Sequence, residues 1–442
     1  MSYNFYTDQF DYYAAYTITQ NHIYDPVNNP EDAKYADKDD ALLPGKVIVN
    51  PTNPAYAEER QPQRTCSSMA RTQNGRIFMS YFSATDHSDE GAGNYNMIIS
   101  SDDRGETFQD RVLIEPPKME TTRVWDCVPW VDDTNRLWVF YAQSYLSQDG
   151  RDGIWVVRCD NPDDDDMVFT EPRRIANGVV VMAPIITSKG EWLFAGCVWD
   201  PKCAHGGVKG NMGINNLQDE IGVSVYRSTD RGETFERIAS KIRFPYSVFD
   251  EPCMAERKDG SLMMWIRGMN CTAHTFSYDG GHTWTIPVQN LRMNLPNTRF
   301  HFGKLKSGNL LLLCNYKADM FSYYGGRNNL CALLSKDDGE TWEGCLMIDE
   351  REGSEQPDFV EGNDGFIYIG YGRAPQFAAE SMLAIVTEED ILAGKLVNPQ
   401  SKLRIVAGKS TGMGKDPVSA EWIQHIADDW GIELETKESI TL

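Results

Sequence analysis

Residues suited to acid–base and anion-binding chemistry recur in this sequence at intervals that make sense if the chain reverses between them. Glu251 lies sixteen residues before Arg267, with Asp250 beside it and an Asp259-Gly260 pair halfway. Arg299 and His301 precede Ser307-Gly308, and Arg327 follows it. Gln356 and Asp358 precede Asp364-Gly365, with Tyr371 and Arg373 beyond. Arg64 precedes Asn74-Gly75, with Asp86 and Asp89 after it. Trp125 and Asp126 precede Thr134-Asn135, and Trp199 and Asp200 follow Lys189-Gly190. Mirroring each segment about its turn gathers arginines, carboxylates and aromatics at one end. Guanidinium forks hold carboxylates through bidentate, charge-assisted bonds. Carboxylates and a histidine near Arg299 can exchange protons. A core has no use for such a set, whereas convergent polar groups in a central mouth mark a ligand site.

The elements that must position these residues are hairpins. Each of the six turns is flanked by apolar runs such as Arg76-Ile-Phe-Met-Ser-Tyr-Phe82 and Asn309-Leu-Leu-Leu-Leu-Cys314, the signature of paired strands. A second repeat follows four of them: Ser-x-Asp-x-Gly-x-Thr-aromatic, beginning at Ser101, Ser228, Ser277 and Ser335. Ser and Asp side chains bond nearby backbone N–H groups, Gly supplies positive φ, and the aromatic residue anchors the turn. The turn spacing allows one four-stranded blade per repeat. The expected fold is therefore all-β, a six-bladed β-propeller of four-stranded antiparallel blades. Gly turns and Ser-x-Asp turns share the lower face. The long connections 85–93, 144–152 and 200–219 share the upper face with the candidate site. Blade 6 is expected to end near Thr387, and ring closure to borrow a strand from the N-terminal part, where residues 46–50 are extended. The organisation is then an irregular arm (1–56), the propeller (57–410) and a tail (411–442). The tail carries a short C-terminal helix at 418–430, with Trp422, Ile423, Ile426 and Trp430 on one face. This helix serves as a packing appendage or a contact between copies in a homo-oligomer.

Bulk properties narrow the partners. Over 442 residues the formal net charge is -23 and the pI about 4.7, which argues against nucleic acid and acidic membrane surfaces. Ten cysteines include no C-x-x-C pair and are expected as reduced core residues. Seven histidines form no close-spaced pair, so no metal and no other cofactor is expected. The acidic run 163–166 lacks the spaced oxygens of a calcium loop and is expected as a solvated loop. Residues 1–20 carry no basic start and no apolar run, so no signal peptide is expected, no stretch approaches ~18 uninterrupted apolar residues, and a cytoplasmic setting is the expectation. There is no phosphate loop and no nucleophile elbow.

The Ser-x-Asp-x-Gly-x-Thr-aromatic repeat resembles the Asp-box of the sialidase family, and the resemblance covers roughly residues 60 to 390. It implies a glycoside hydrolase, exo-acting on α-glycosides of a carboxylated sugar at glycan ends. On that resemblance Arg64, Arg267 and Arg327 fit three arginines that clamp the substrate carboxylate. Asp86 or Asp89 fits the acid/base on the upper loop of blade 1, and Glu251 fits the glutamate that assists a tyrosine nucleophile. A phenol suits that role because a carboxylate nucleophile would be repelled by the substrate's own charge. Where the family places its tyrosine, this chain reads Ser354-Glu355-Gln356-Pro357-Asp358. Tyr371, Tyr323 and Tyr324 are the phenols left to fill the role. Two alternatives stand beside hydrolysis of a sialoside. One is a glycosidase or lyase acting on a uronate or neutral sugar through Asp126, Glu251, His301 or Asp358. The other is a carbohydrate-binding propeller without turnover.

Overall fold

The computed structural model describes residues 40–85, 87, 90–145, 151–200, 220–247, 249–320, 322 and 324–411. Six antiparallel sheets follow one another along the chain. Their innermost strands are Thr65–Arg71, Thr122–Val131, the split pair Val179–Val180 and Ile185–Ile186, Pro252–Glu256, His301–Lys304 and Ser354–Glu361. Neighbouring inner strands touch in that order, and the last touches the first, so the ring is closed. The chain folds as the six-bladed propeller that its turns predict.

What holds the ring together is apolar packing between blades. Leu334, Ile348, Ile369 and Met382 join blades 5 and 6. Met79, Tyr81, Tyr368 and Leu383 join blade 6 to blade 1, and Phe78, Val112, Val139 and Trp155 join blades 1 and 2. Comparable clusters fill the other three junctions. Side chains of period 2 face alternate sides of each blade, so every blade can feed two of these clusters.

The Ser-x-Asp turns behave as their chemistry dictates. In the first, the Ser101 hydroxyl accepts from Gly105 N–H at 2.8 Å, and Asp103 accepts from the Thr107 N–H at 2.9 Å and hydroxyl at 2.6 Å. Gly105 sits at φ 84°, where a side chain would be strained and where a Cβ would meet Leu383 at 2.5 Å. Phe108, Phe235, Trp284 and Trp342 each enter the junction with the preceding blade.

Three expectations are corrected. Blade 6 does not end near Thr387. After a capped helix, Glu388–Ala393, the chain returns as Lys402–Lys409 and completes that blade itself. The N-terminal strand Lys46–Val49 pairs instead with Gln109–Glu115, as a fifth strand on the rim of blade 1. The acidic run is not simply solvated. Asp165 pairs with Arg76 and Arg111 at 3.1 and 3.2 Å, and Asp163 accepts from Asn74 and Asn135, lacing blade 2 to blade 1. The eight cysteines whose side chains are described are free. The helix expected at 418–430 lies outside the described residues. Among the described residues no helix is long and apolar enough to cross a membrane.

Candidate active site

The inner strands of blades 1, 2 and 6 share one irregularity. Their pairing slips between Thr65 and Ser68, between Trp125 and Val128, and between Glu355 and Asp358. Such bulges re-aim side chains. Here they place Asp126 and Gln356 at φ 42° and 51°, left-handed values that non-glycine residues adopt at a cost. Both residues line a cavity on the propeller axis whose empty space, open solvent included, is about 510 Å³.

An ion network spans this cavity. Arg299 enters from blade 5 and donates to both oxygens of Asp126 in blade 2, at 2.8 and 2.7 Å. In a ring of six these blades face each other, so the pair is a strut across the axis. Arg299 also donates to Glu251 Oε1 at 3.0 and 2.7 Å, while Arg267 donates to Glu251 Oε2 at 2.5 Å. Asn297 then accepts from Arg267 Nε at 2.9 Å. Glu251 and Arg267 come together because the Asp259-Gly260 hairpin sets them opposite each other, with Arg267 N–H bonded to the Glu251 carbonyl. Burial raises the pKa of Glu251, but the two guanidinium groups outweigh it and hold the carboxyl at about 2. Glu251 is therefore a fixed anion, not a proton donor. Burial lowers the pKa of Arg267, and the nearby positive charges of Arg327 and Arg299 add to that. Arg327 pairs with the buried Glu355.

Below this network His301 Nδ1 stands 3.4 Å from Asp358 Oδ1. Asp358 Oδ2 accepts from the Ser68 hydroxyl and from Met69 N–H at 3.0 Å. The carboxylate is thus fixed by its neighbours and can in turn orient the imidazole. His301 and Asp358 also border a second axial space on the lower side, about 1070 Å³ with open solvent included, so the pair lies between the two. Around the upper wall, Trp125 packs on Trp199 with ring centroids 5.5 Å apart, Trp199 on Phe249 at 5.3 Å, and Arg267 lies 4.3 Å over Phe249.

Asp250 is fully buried beside this set. Its Oδ1 accepts from Phe244 N–H at 3.2 Å, while its Oδ2 has no hydrogen-bond partner. Arg243 Nε is 3.9 Å away, and Arg243 also pairs with Asp200. Burial pushes the Asp250 carboxyl up to about 7.

Three of the expected site residues stand elsewhere. Arg64 is buried between blades 1 and 6, paired with Glu58, bonded to Ser410 at 2.7 Å and lying 4.2 Å over Tyr81. It reaches that pocket because Gly408 has no side chain to block it: a Cβ there would stand 2.1 Å from Nη1. Tyr371 faces the packing between blades 5 and 6, where its hydroxyl donates to Asp349 at 3.0 Å. Burial and the adjacent Asp349 carboxylate raise its pKa well above the usual phenol range. Arg373 donates to Glu380 at 2.9 Å. Asp86, Asp89 and Tyr323 lie outside the described residues. Tyr324 rests edge-on against Phe377.

Sequence reasoning missed Asn297, Glu355, Ser68 and Phe249. Glu355 was signalled by its place beside Gln356 at the mouth of blade 6, and Phe249 by its place before Asp250. Asn297 and Ser68 carry no local signal. Among the described residues no cluster of His, Cys, Asp and Glu could hold a metal ion.

Comparison with known proteins agrees with this architecture. The BNR repeat-like domain family matches residues 75–369. Against curated proteins, no sequence match is found. Among solved structures, the intramolecular trans-sialidase of Ruminococcus gnavus superposes with a TM-score of 0.57 at 12% identity, over 80% of this chain and 99% of that one. The leech intramolecular trans-sialidase gives 0.57 at 12% identity, over 79% and 71%. A Hadza microbial sialidase gives 0.54 at 19% identity, over 70% of this chain and 63% of its own, so this chain spans less than two thirds of that sialidase's length. At such identities the likeness establishes the sialidase-like fold.

Proposed function

The chain belongs to the BNR repeat-like domain family, and from that premise we propose that it is a glycoside hydrolase acting at the axial pocket on α-glycosides of a carboxylated sugar, sialic acid or a relative, at glycan ends. The observation that carries this reading is that Arg267 and Arg299, from blades 4 and 5, line one opening, with Arg327 close enough to Arg267 for its charge to be felt there. Each is already matched by a carboxylate: Glu251, Asp126 or Glu355. An incoming substrate carboxylate would exchange with these counter-ions, as guanidinium forks allow. Glu251, held ionised, would keep Arg267 and Arg299 in place. Asp86 or Asp89, which follow the strand Ile77–Ser83 in the chain, would protonate the leaving oxygen and then activate water.

A second reading is favoured by the His301–Asp358 pair at the pocket floor, since Tyr371 is spent on Asp349. Here a uronate or neutral sugar would be cleaved with His301 moving the proton. The test is turnover of an aryl α-sialoside and of an aryl uronide by wild-type protein, Arg327→Ala and His301→Ala, with heat melts to confirm folding. Sialoside turnover that falls at least tenfold in Arg327→Ala supports the first reading. Turnover confined to the uronide and lost in His301→Ala supports the second. Binding without product from either would overturn both and leave a carbohydrate-binding propeller.

A further inference from the structure

Asp126 and Gln356 hold matching positions in the bulged inner strands of blades 2 and 6, both with positive φ. Their side chains have different fates. Asp126 is saturated by Arg299. Gln356 is only 9% exposed, yet its Oε1 has no hydrogen-bond partner. A buried unmet polar atom and a left-handed backbone are each unfavourable. Their coincidence in a cavity wall points to a ligand. Ser67, on the adjoining strand of blade 1 and lining the same cavity, also has a buried hydroxyl without a partner.

We propose that Gln356, with Ser67 beside it, forms an uncharged subsite on the blade 6 and blade 1 side of the pocket that recognises a hydroxyl or N-acyl group of the bound sugar. The subsite rests on the reading that this pocket holds a sugar. Its preference for a neutral group follows from its flanks. Glu355 and Asp358 lie on either side of Gln356 in the chain, and both carboxylates are nearly buried. Each of those carboxylates already has a partner, Arg327 or His301, so the flanks offer an incoming anion no unmatched cation, whereas a hydroxyl can donate to the carboxamide and accept from it. Arg267 and Arg299 line the cavity from blades 4 and 5, so one sugar would present its charge to one wall and its neutral substituents to the other.

The experiment is an NMR titration with the methyl α-glycoside of N-acetylneuraminic acid and with methyl glucuronide. Each is used intact and with single hydroxyls replaced by hydrogen, or with the N-acyl group removed. Wild-type protein is compared with Gln356→Leu and Gln356→Gly. Glycine suits the positive φ, so Gln356→Gly should melt at or above the wild-type temperature. Both variants are expected to bind the intact probe about ten- to a hundredfold more weakly. One modified probe should show the same loss on wild-type protein and no further loss on the variants. Equal binding by all three proteins, or a loss that does not depend on any one substituent, overturns the subsite and leaves the sugar reading standing. No binding of either intact probe by wild-type protein overturns the sugar reading and the subsite with it.

Discussion

Carboxylates do two different jobs at the two ends of this propeller. On the lower face Asp103, Asp230, Asp279 and Asp337 are each satisfied by a threonine four residues later. The threonine hydroxyl and N–H hold all four at a pKa of about 2. Their side chains stand in water and the same turn is made four times. On the axis, apart from the Glu251–Arg267 hairpin pair, the partners are distant in sequence. Asp126 meets Arg299 across 173 residues, and Asp358 meets Ser68 across 290. Those groups are buried, and no two contacts repeat. Local satisfaction builds scaffold. Long-range satisfaction, available only once the ring has closed, builds the site.

The largest effect expected from this contrast is at Glu251. Glu251→Ala leaves the guanidinium groups of Arg267 and Arg299 facing each other in a buried setting, with one shared anion removed. Loss of one partner from a buried ion pair costs about 3–5 kcal/mol. The urea midpoint should fall accordingly, and any sugar turnover should disappear with it. A variant of wild-type stability would show that the network is solvated and would break the comparison.

The same contrast explains what the sequence reveals. The six hairpin turns, five of them with glycine, and the four Ser-x-Asp turns are local, so blade number, strand direction and the face of the site can all be read without coordinates. Glu251 and Arg267 are legible for the same reason: one hairpin pairs them. Asp126 and Arg299 can each be placed at the mouth, but their bond across the axis cannot, because no spacing rule links opposite blades. Tyr371 and Arg373 sit at the expected height, yet on a second strand, where alternation turns Tyr371 into the junction between blades. Arg64 is drawn into a pocket that opens only because residue 408 is glycine. The closing strand Lys402–Lys409 did carry a signal, in its alternating Leu403, Ile405 and Ala407, although a helix separates it from the rest of its blade.

Asp250 sharpens the comparison because it adjoins Glu251 and its cation, Arg243, stands off at 3.9 Å without a hydrogen bond. Its folded-state pKa, near 7, lies above the ordinary 3.8. The folded protein therefore holds a proton that the unfolded chain releases, and stability from this group falls as pH rises from about 4 to 7. Above that range the full cost of the buried charge is present. Asp250→Asn should thus match wild-type stability near pH 4 and exceed it at pH 8, by about 1–3 kcal/mol. A gain that is the same at both pH values would mean that Asp250 stays ionised throughout and is solvated.

The smallest effects belong to the lower face, where the sign reverses. The folded-state pKa of each turn aspartate lies below its ordinary value of 3.8. Their contribution is present above about pH 4 and is lost as pH falls toward 2. Because the carboxylates are exposed, water screens most of it. Asp103→Asn keeps the acceptor and loses the charge, so it should cost less than ~1 kcal/mol. The four turns lie on different blades and share no partner, so their effects should add. A variant with all four asparagines should lose less stability between pH 4 and 2 than the wild type does, in steps of one per turn. If a single Asp103→Asn cost as much as Glu251→Ala, these turns would be working through the core, and the division between local scaffold and long-range site would fail.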